Sequence, residues 1–383
     1  MLADPAGPGD AAGQQDPGRG AAGLHQDLGA LGDGVEEGAR PDLAHGGFSK
    51  LIAPGLKRLA GQADVESRLI VQDGSDWRLR QGPLSASSFP ARRRRQWTFL
   101  VQGVNLLDDR INDFMRQFRF VPDARLDDLM ISWASDGGGV GPHFDSYDVF
   151  LFQAQGRRRW RIGRQDDLEI RPDLPVKILR RFKPEVEFVL EPGDMLYLPP
   201  RYAHDGIAEG ECMTWSVGFR SAQRQELARE ILVRLGDHLP DDMRIYGDAT
   251  QEATARPAQV PERLHQHLHA VMAQALAQPH LVQRALGEWL TEPKAQVWFE
   301  SKGVWRPGLA LRLDRRSRML YDRRHVFLNG ESWQASGADA RLLRRLADQG
   351  RLDPADAARA SVEVQACWQD WTEAGWLIAE KPH

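Results

Sequence analysis

GGGVGPHFDSYDVF (residues 137–150) sets a histidine and an aspartate two apart, past a glycine-rich loop and before an apolar run. In an extended chain alternate side chains share a face, so His143 and Asp145 are expected to point the same way. An imidazole beside a carboxylate can begin a metal site, and it is also an ordinary strand edge. GGGVG reads as a flexible approach to the pair, and YDVFLF as the strand that holds it still.

The next histidine that bears on this pair lies about sixty residues on, in EPGDMLYLPPRYAHDG. Pro192-Gly193 reads as a turn, MLYLP as a buried strand, and His204 as a loop residue just before the strand MTWSVGFR. Between about 126 and 220 the texture is short strands: LDDLMISWAS, YDVFLFQAQ, RRRWRIG, VEFVLE, DMLYLP and MTWSVGFR. The turns are GGGVGP, Gly156, EPGD and LPPRYAHDG. That pattern predicts a double-sheet jelly roll or a cupin-like barrel, in which distant strands lie side by side. Two imidazoles and one carboxylate on neighbouring strands make a facial triad with open positions, suited to Fe(II) oxygenases. A closed zinc site would need a fourth ligand.

RRRWRIG (157–163) bears on a co-substrate. With a period of two, Arg158 shares a face with Trp160 and Ile162, while Arg157, Arg159 and Arg161 face the other way. Arg158 is therefore the arginine that points in. A buried, unpaired charge is costly, and its fork matches a carboxylate such as the far end of 2-oxoglutarate. Ser132, Thr214 and Ser216 are hydroxyls that can line the same pocket.

Working outward, residues 1–47 hold no Phe, Trp, Tyr or Ile and are dense in Gly, Ala, Asp and Pro. The expectation is a disordered, low-complexity N-terminus. Residues 48 to about 125 mix helices and strands. Beyond Arg220, amphipathic helices are expected at 223–236, 261–277 and 279–291; they either pack on one another or form a dimer interface. From about 300 the order of strands and helices fits a small α+β module of winged-helix type. The expected organisation is a β-rich catalytic core over 48–222, a helical region over 223–292 and the winged-helix-like module over 293–383.

A net charge of −4 over 383 residues gives no bulk attraction to nucleic acid. RRRR (92–95) reads as a solvated loop, and the C-terminal module lacks a clear recognition helix, so direct nucleic-acid binding is not expected. Cys212 and Cys367 form no CxxC pair, which suits a reducing cytoplasm. No apolar run is long enough to span a bilayer, and no secretory signal is expected. His265 and His269 read as surface helix residues, and Cys367 as core packing beside Trp368, Trp371 and Trp376.

The run DDLMISWASDGGGVGPHFDSYDVFLFQAQGRRRWRIG, then EPGDMLYLPPRYAHDG, then SVGFR, resembles the JmjC-type ribosomal oxygenases. The likeness is closest to the bacterial branch that hydroxylates an arginine of a large-subunit ribosomal protein. It is dense over about 65–222 and looser beyond. It implies a double-stranded β-helix core, a helical dimerisation region giving a homodimer, and a C-terminal winged helix. It further implies Fe(II) on His143, Asp145 and His204, with dioxygen and 2-oxoglutarate as co-substrates. The 2-oxoglutarate would pair with Arg158, with contacts from Ser132 and from Met213 or Thr214; this chain has Met-Thr where the family often has Met-Asn. The family usually opens with an aromatic-rich segment ending in a Lys/Arg-Pro motif. Residues 1–47 carry nothing comparable, through an altered start or frame upstream of Phe48 or a true loss. Two rivals share the metal pattern, a JmjC-type demethylase and a non-catalytic cupin-like module that binds metal or peptide.

Overall fold

The computed structural model describes residues 47–91, 93–239, 244–247, 249 and 252–381. The expected low-complexity segment lies outside these, except for its last residue, Gly47, which opens the first helix, α1 (Gly47–Ala60). The strands β1 (Ser67–Asp73), β2 (Asp76–Gln81) and β3 (Trp97–Val101) follow. Helix α2 (Asp109–Arg116) then begins on Asp108, whose side chain accepts from Arg110 N. Next come β4 (Leu126–Ala134), β5 (Val149–Arg164), β6 (Val186–Leu190), β7 (Met195–Leu198) and β8 (Tyr202–Phe219). All pairings among these strands are antiparallel, in the order β2-β1-β3-β4-β8-β5-β6, with β7 also on β5.

The sheet is bent rather than flat. β5 runs through the expected turn at Gly156 as one strand and pairs with β8 along its whole length. Register shifts flank Gln155, and Gly156 has φ 63°, so the glycine forms a bulge that bends the ladder without breaking it. A Cβ on Gly156 would stand 2.2 Å from Glu211 O. Past the bend β5 changes partners: Val149–Phe152 lie beside β7, and Arg158–Ile162 beside β6. His204 accordingly lies within β8 and not in a loop.

The two faces of the bent sheet differ. One holds the main core, where Trp97, Phe99, Ile131, Trp133, Phe150, Met213 and Trp215 meet Leu56 of α1 and Ile111 and Phe114 of α2. The other encloses Val149, Leu151, Trp160, Ile162, Leu190 and Leu198, the interior of the barrel.

GGGVG is not a flexible approach. Gly137 N donates to Ala208 O, and Ala208 N to Gly138 O, so the segment runs alongside β8. A Cβ on Gly138 would lie 2.4 Å from Trp97 O, and one on Gly139 2.6 Å from Gly206 O. These glycines serve close backbone approach.

Helices α3 (Arg224–His238), α4 (Glu262–Leu276) and α5 (Pro279–Thr291) come next. Leu235, Ala275 and Leu281 make a small shared core. α4 leaves Leu264, Leu268, Val271, Met272 and Leu276 exposed on one face, and His265 and His269 are exposed too. The C-terminal module contains β9 (Ala310–Leu313), β10 (Met319–Tyr321), β11 (His325–Leu328), β12 (Glu331–Gln334) and α6 (Gly337–Gln349). It closes with β13 (Arg351–Leu352), α7 (Pro354–Ala357), α8 (Val362–Glu373) and β14 (Leu377–Glu380). Trp305, Trp368 and Trp371 centre its core, against which Cys367 and Trp376 pack.

Gly138→Ala is expected to lower unfolding stability by about 1–3 kcal/mol, because backbone carbonyls on two sides cannot yield. Gly236→Ala in α3, with nothing within 4 Å, serves as the control and should leave stability unchanged or raise it. Urea unfolding of both variants checks this.

Candidate active site

His143 and Asp145 lie just ahead of β5, in a segment that is not itself a strand. His143 alone pairs, making a two-way backbone bridge with His204: His143 N donates to His204 O at 2.9 Å, and His204 N to His143 O at 2.8 Å. Each imidazole has its Nδ1 against a backbone carbonyl, Gly141 O at 2.8 Å for His143 and Tyr202 O at 2.9 Å for His204. A carbonyl can only accept, so Nδ1 carries the proton and Nε2 keeps a free lone pair. The rings stand 4.2 Å apart, and His204 Nε2 is 3.7 Å from Asp145 Oδ2. One donor atom from each of the three residues lies within 4.8 Å of the others. Asp145 is steadied from behind, where Arg201 N donates to its carbonyl at 2.8 Å.

Burial, reinforced by His143, pushes the His204 pKa down to about 3, so this imidazole is neutral at working pH. Burial also raises the Asp145 carboxyl, against the opposing pull of His143 and Arg68.

Arg158 is buried, opposite Ala208 on β8 and Leu190 on β6. Its guanidinium carbon lies 5.9 Å from the Trp160 ring, whose centroid is in turn 5.9 Å from that of His204. Arg158 Nε and Nη2 are buried and have no hydrogen-bond partner among the described residues. The outward arginines contrast with it: Arg157 meets Glu191 and Glu209, Arg159 meets Glu187 and Glu209, and Arg161 meets Asp205.

Ser132 and Thr214 are paired neighbours on β4 and β8, and both are buried. Ser132 Oγ makes only a long 3.4 Å bond to Thr214 O, while Thr214 Oγ1 donates to Gln153 Oε1 at 3.0 Å. The register Arg68, Leu100, Ser132, Thr214, Gln153 forms one row across the inner face. Met213 is not brought to this row. Strand alternation turns it outward, opposite Trp133, into the main core. Arg68, Gln153, Arg201 and Gly206 are site neighbours that sequence reading missed. Only Arg68 carried a signal, as a cation within an apolar, strand-like run, RLIV.

Two family models match the chain: a JmjC domain over residues 113–227 and a ROXA-like winged helix over 270–378. The ribosomal protein uL16 3-hydroxylase of Escherichia coli K12 is 36% identical over 270 residues, 67% of this chain and 70% of that protein. The chain belongs to the JmjC-domain ribosomal oxygenases. A probable ribosomal oxygenase of Haemophilus influenzae is 28% identical over 84% of this oxygenase and 88% of its own length. Among solved structures, the E. coli ribosomal oxygenase YcfD in complex with cobalt and 2-oxoglutarate matches with a TM-score of 0.73. It is 30% identical and the match covers 86% of this chain and 90% of that one.

The donor set of this oxygenase fits a divalent ion of the first transition row: two imidazoles and a carboxylate, with the remaining positions open. His143→Ala or Asp145→Ala is expected to weaken Co(II) binding by more than about 100-fold, since even contacts behind metal ligands are worth about 10–100-fold. Competition with a chromophoric chelator measures this. Unchanged affinity in a folded variant would rule the triad out.

Proposed function

We propose that this oxygenase hydroxylates an arginine side chain, at the β-carbon, of a large-subunit ribosomal protein, using Fe(II), 2-oxoglutarate and dioxygen. The observation that carries this reading is the pair of buried, unpartnered donors on Arg158, a short step from an open His-Asp-His triad. Support comes from the relative named as a uL16 3-hydroxylase and from the cobalt and 2-oxoglutarate complex of YcfD. When bound, the iron supplies the oxidising chemistry, driven by conversion of 2-oxoglutarate to succinate.

The protein's own work is placement. His143, Asp145 and His204 present Nε2, a carboxylate oxygen and Nε2 to one point, held by the backbone bridge between the histidines. Arg158 receives the far carboxylate of 2-oxoglutarate, and Ser132 and Thr214 contribute hydroxyls from the neighbouring row. Trp160, Ile162, Leu190 and Leu198 line the interior with apolar surface and keep water from the reacting centre.

The exposed stripe on α4, with Leu264, Leu268, Val271, Met272 and Leu276 at helical spacing, supports a homodimer through the helical region. A cytoplasmic location fits the ribosomal substrate and two free cysteines. No helix among the described residues is long and apolar enough to cross a membrane. At RRRR, Arg94 pairs with Asp73 and Arg95 with Asp136 at 2.6 Å, while Arg92 lies outside the described residues.

Purified protein with Fe(II) should convert 2-oxoglutarate to succinate, and His143→Ala should abolish this. Arg158→Met should raise the KM for 2-oxoglutarate by about 100-fold or more, the worth of two charge-assisted hydrogen bonds. Ribosomal proteins from a deletion strain should lack one oxygen on one arginine. Unchanged masses would overturn the substrate reading, and loss of a methyl group from a lysine would favour the demethylase. Leu268→Glu with Val271→Glu is expected to convert a dimer to a monomer in sedimentation equilibrium, and a wild-type monomer would sink the dimer.

A further inference from the structure

The inward face of β5 carries a second unsatisfied side chain beside Arg158. Trp160 is 4% exposed, and its Nε1–H is buried with no acceptor among the described residues. A buried indole N–H ordinarily finds a partner, and leaving a buried donor unpaired is costly. The ring is fixed in place. A Cβ on Gly206 would stand 2.8 Å from Cη2 and Cζ3, the edge of the indole remote from Nε1. β8 therefore holds one edge of the ring and leaves the donor edge to the interior. The His204 ring and the Arg158 guanidinium carbon each lie 5.9 Å from the indole, so the indole neighbours both triad and guanidinium.

We propose that Trp160 is a further binding residue for the co-substrate, its Nε1–H donating to the carboxylate that Arg158 grips. The inference rests on the 2-oxoglutarate reading above and adds a donor to it. An ionised carboxylate offers about four lone-pair sites, and an arginine fork occupies two of them. The remaining sites need donors that burial has already stripped of water, and Trp160 Nε1 is one. Arg161 Nε also lacks a partner, but Arg161 is ion-paired to Asp205 and one-third exposed on the outer face, so it has no such role.

The test uses the full chain with Zn(II) in the triad, which is diamagnetic and prevents turnover. Calorimetric titration of 2-oxoglutarate and of succinate compares wild type, Arg158→Met and Trp160→Phe, alongside the Zn(II) affinity of each. Trp160→Phe should weaken both ligands by about tenfold, as loss of a hydrogen bond to a charged group does, with Zn(II) affinity unchanged. In 15N–1H spectra of wild type, one indole resonance, assigned through Trp160→Phe or Trp160→Leu, should move downfield on adding 2-oxoglutarate. An unmoved resonance overturns the proposal, as does unaltered ligand affinity in Trp160→Phe. Proportional loss of Zn(II) and ligand affinity overturns it too, because it marks a packing role. If Arg158→Met weakens binding and Trp160→Phe does not, only this inference fails. If Zn(II)-loaded wild type takes up no 2-oxoglutarate, the co-substrate reading fails with it.

Discussion

Two reciprocal backbone hydrogen bonds, between His143 and His204, tie together segments about sixty residues apart, and the site depends on them. A strand shifted by one residue turns every side chain to the other face, so a slip here would carry His204 out of the barrel. Two features hold the register. β5 and β8 pair along their full lengths through the bulge at Gly156, and Gly138 and Gly139 press against backbone oxygens that no Cβ would tolerate. The same ladder aims Arg158 and Trp160, because Arg158 pairs with Ala208, Trp160 with Gly206 and Ile162 with His204. The placement of His204 and that of the inward Arg158 are thus set by one register.

The chemistry of the site was more legible in the sequence than its local structure. His143, Asp145 and His204 were legible because few residue types bind metals, and Arg158 because period-two alternation puts it beside Trp160. The strand containing His204 was not legible. YAHDG has the composition of a turn, and only pairing with β5 makes it a strand, a tertiary effect that overrides local preference. GGGVG misled for a related reason. Glycine composition says that the backbone is permissive, but not whether that permission serves mobility or close approach. Met213 was carried over by position in the family, and strand alternation at Thr214 places it on the opposite face. The two-residue strand β13 is too brief for any periodicity to reveal it.

Charge balance separates the working arginine from its neighbours. Arg157 and Arg159 face acids across the strands in solvent, where such pairs are worth little, and Arg161 is paired with the buried Asp205. Arg158 has no acid, although it is the one buried in the interior. An isolated buried cation is costly and persists only where something else favours it. The triad shows the complementary strain: burial disfavours charge on both Asp145 and His204. A dication would relieve the penalty at the triad and a dicarboxylate the one at Arg158, so the proposed ligands and these two local penalties match in sign.

The C-terminal module takes part in this economy from outside the barrel. Lys294, just after α5, reaches Asp128 at 2.7 Å and Asp127 at 3.2 Å on β4, the strand that also carries Ser132. Arg318 donates to Leu126 O at 2.7 Å, and burial, with Arg220 next, lowers its pKa to about 10. Arg315 likewise donates to Leu106 O at 3.0 Å, and from the other side Arg119 donates to Ala347 O at 2.9 Å. Desolvated cations bonded to carbonyls demand fixed geometry, because a small displacement leaves a buried charge unpaired. A module joined in this way acts as a brace on the first residues of β4, inside the catalytic sheet. Lys294 and Arg318 are thereby committed to holding the start of β4, the strand that carries Ser132.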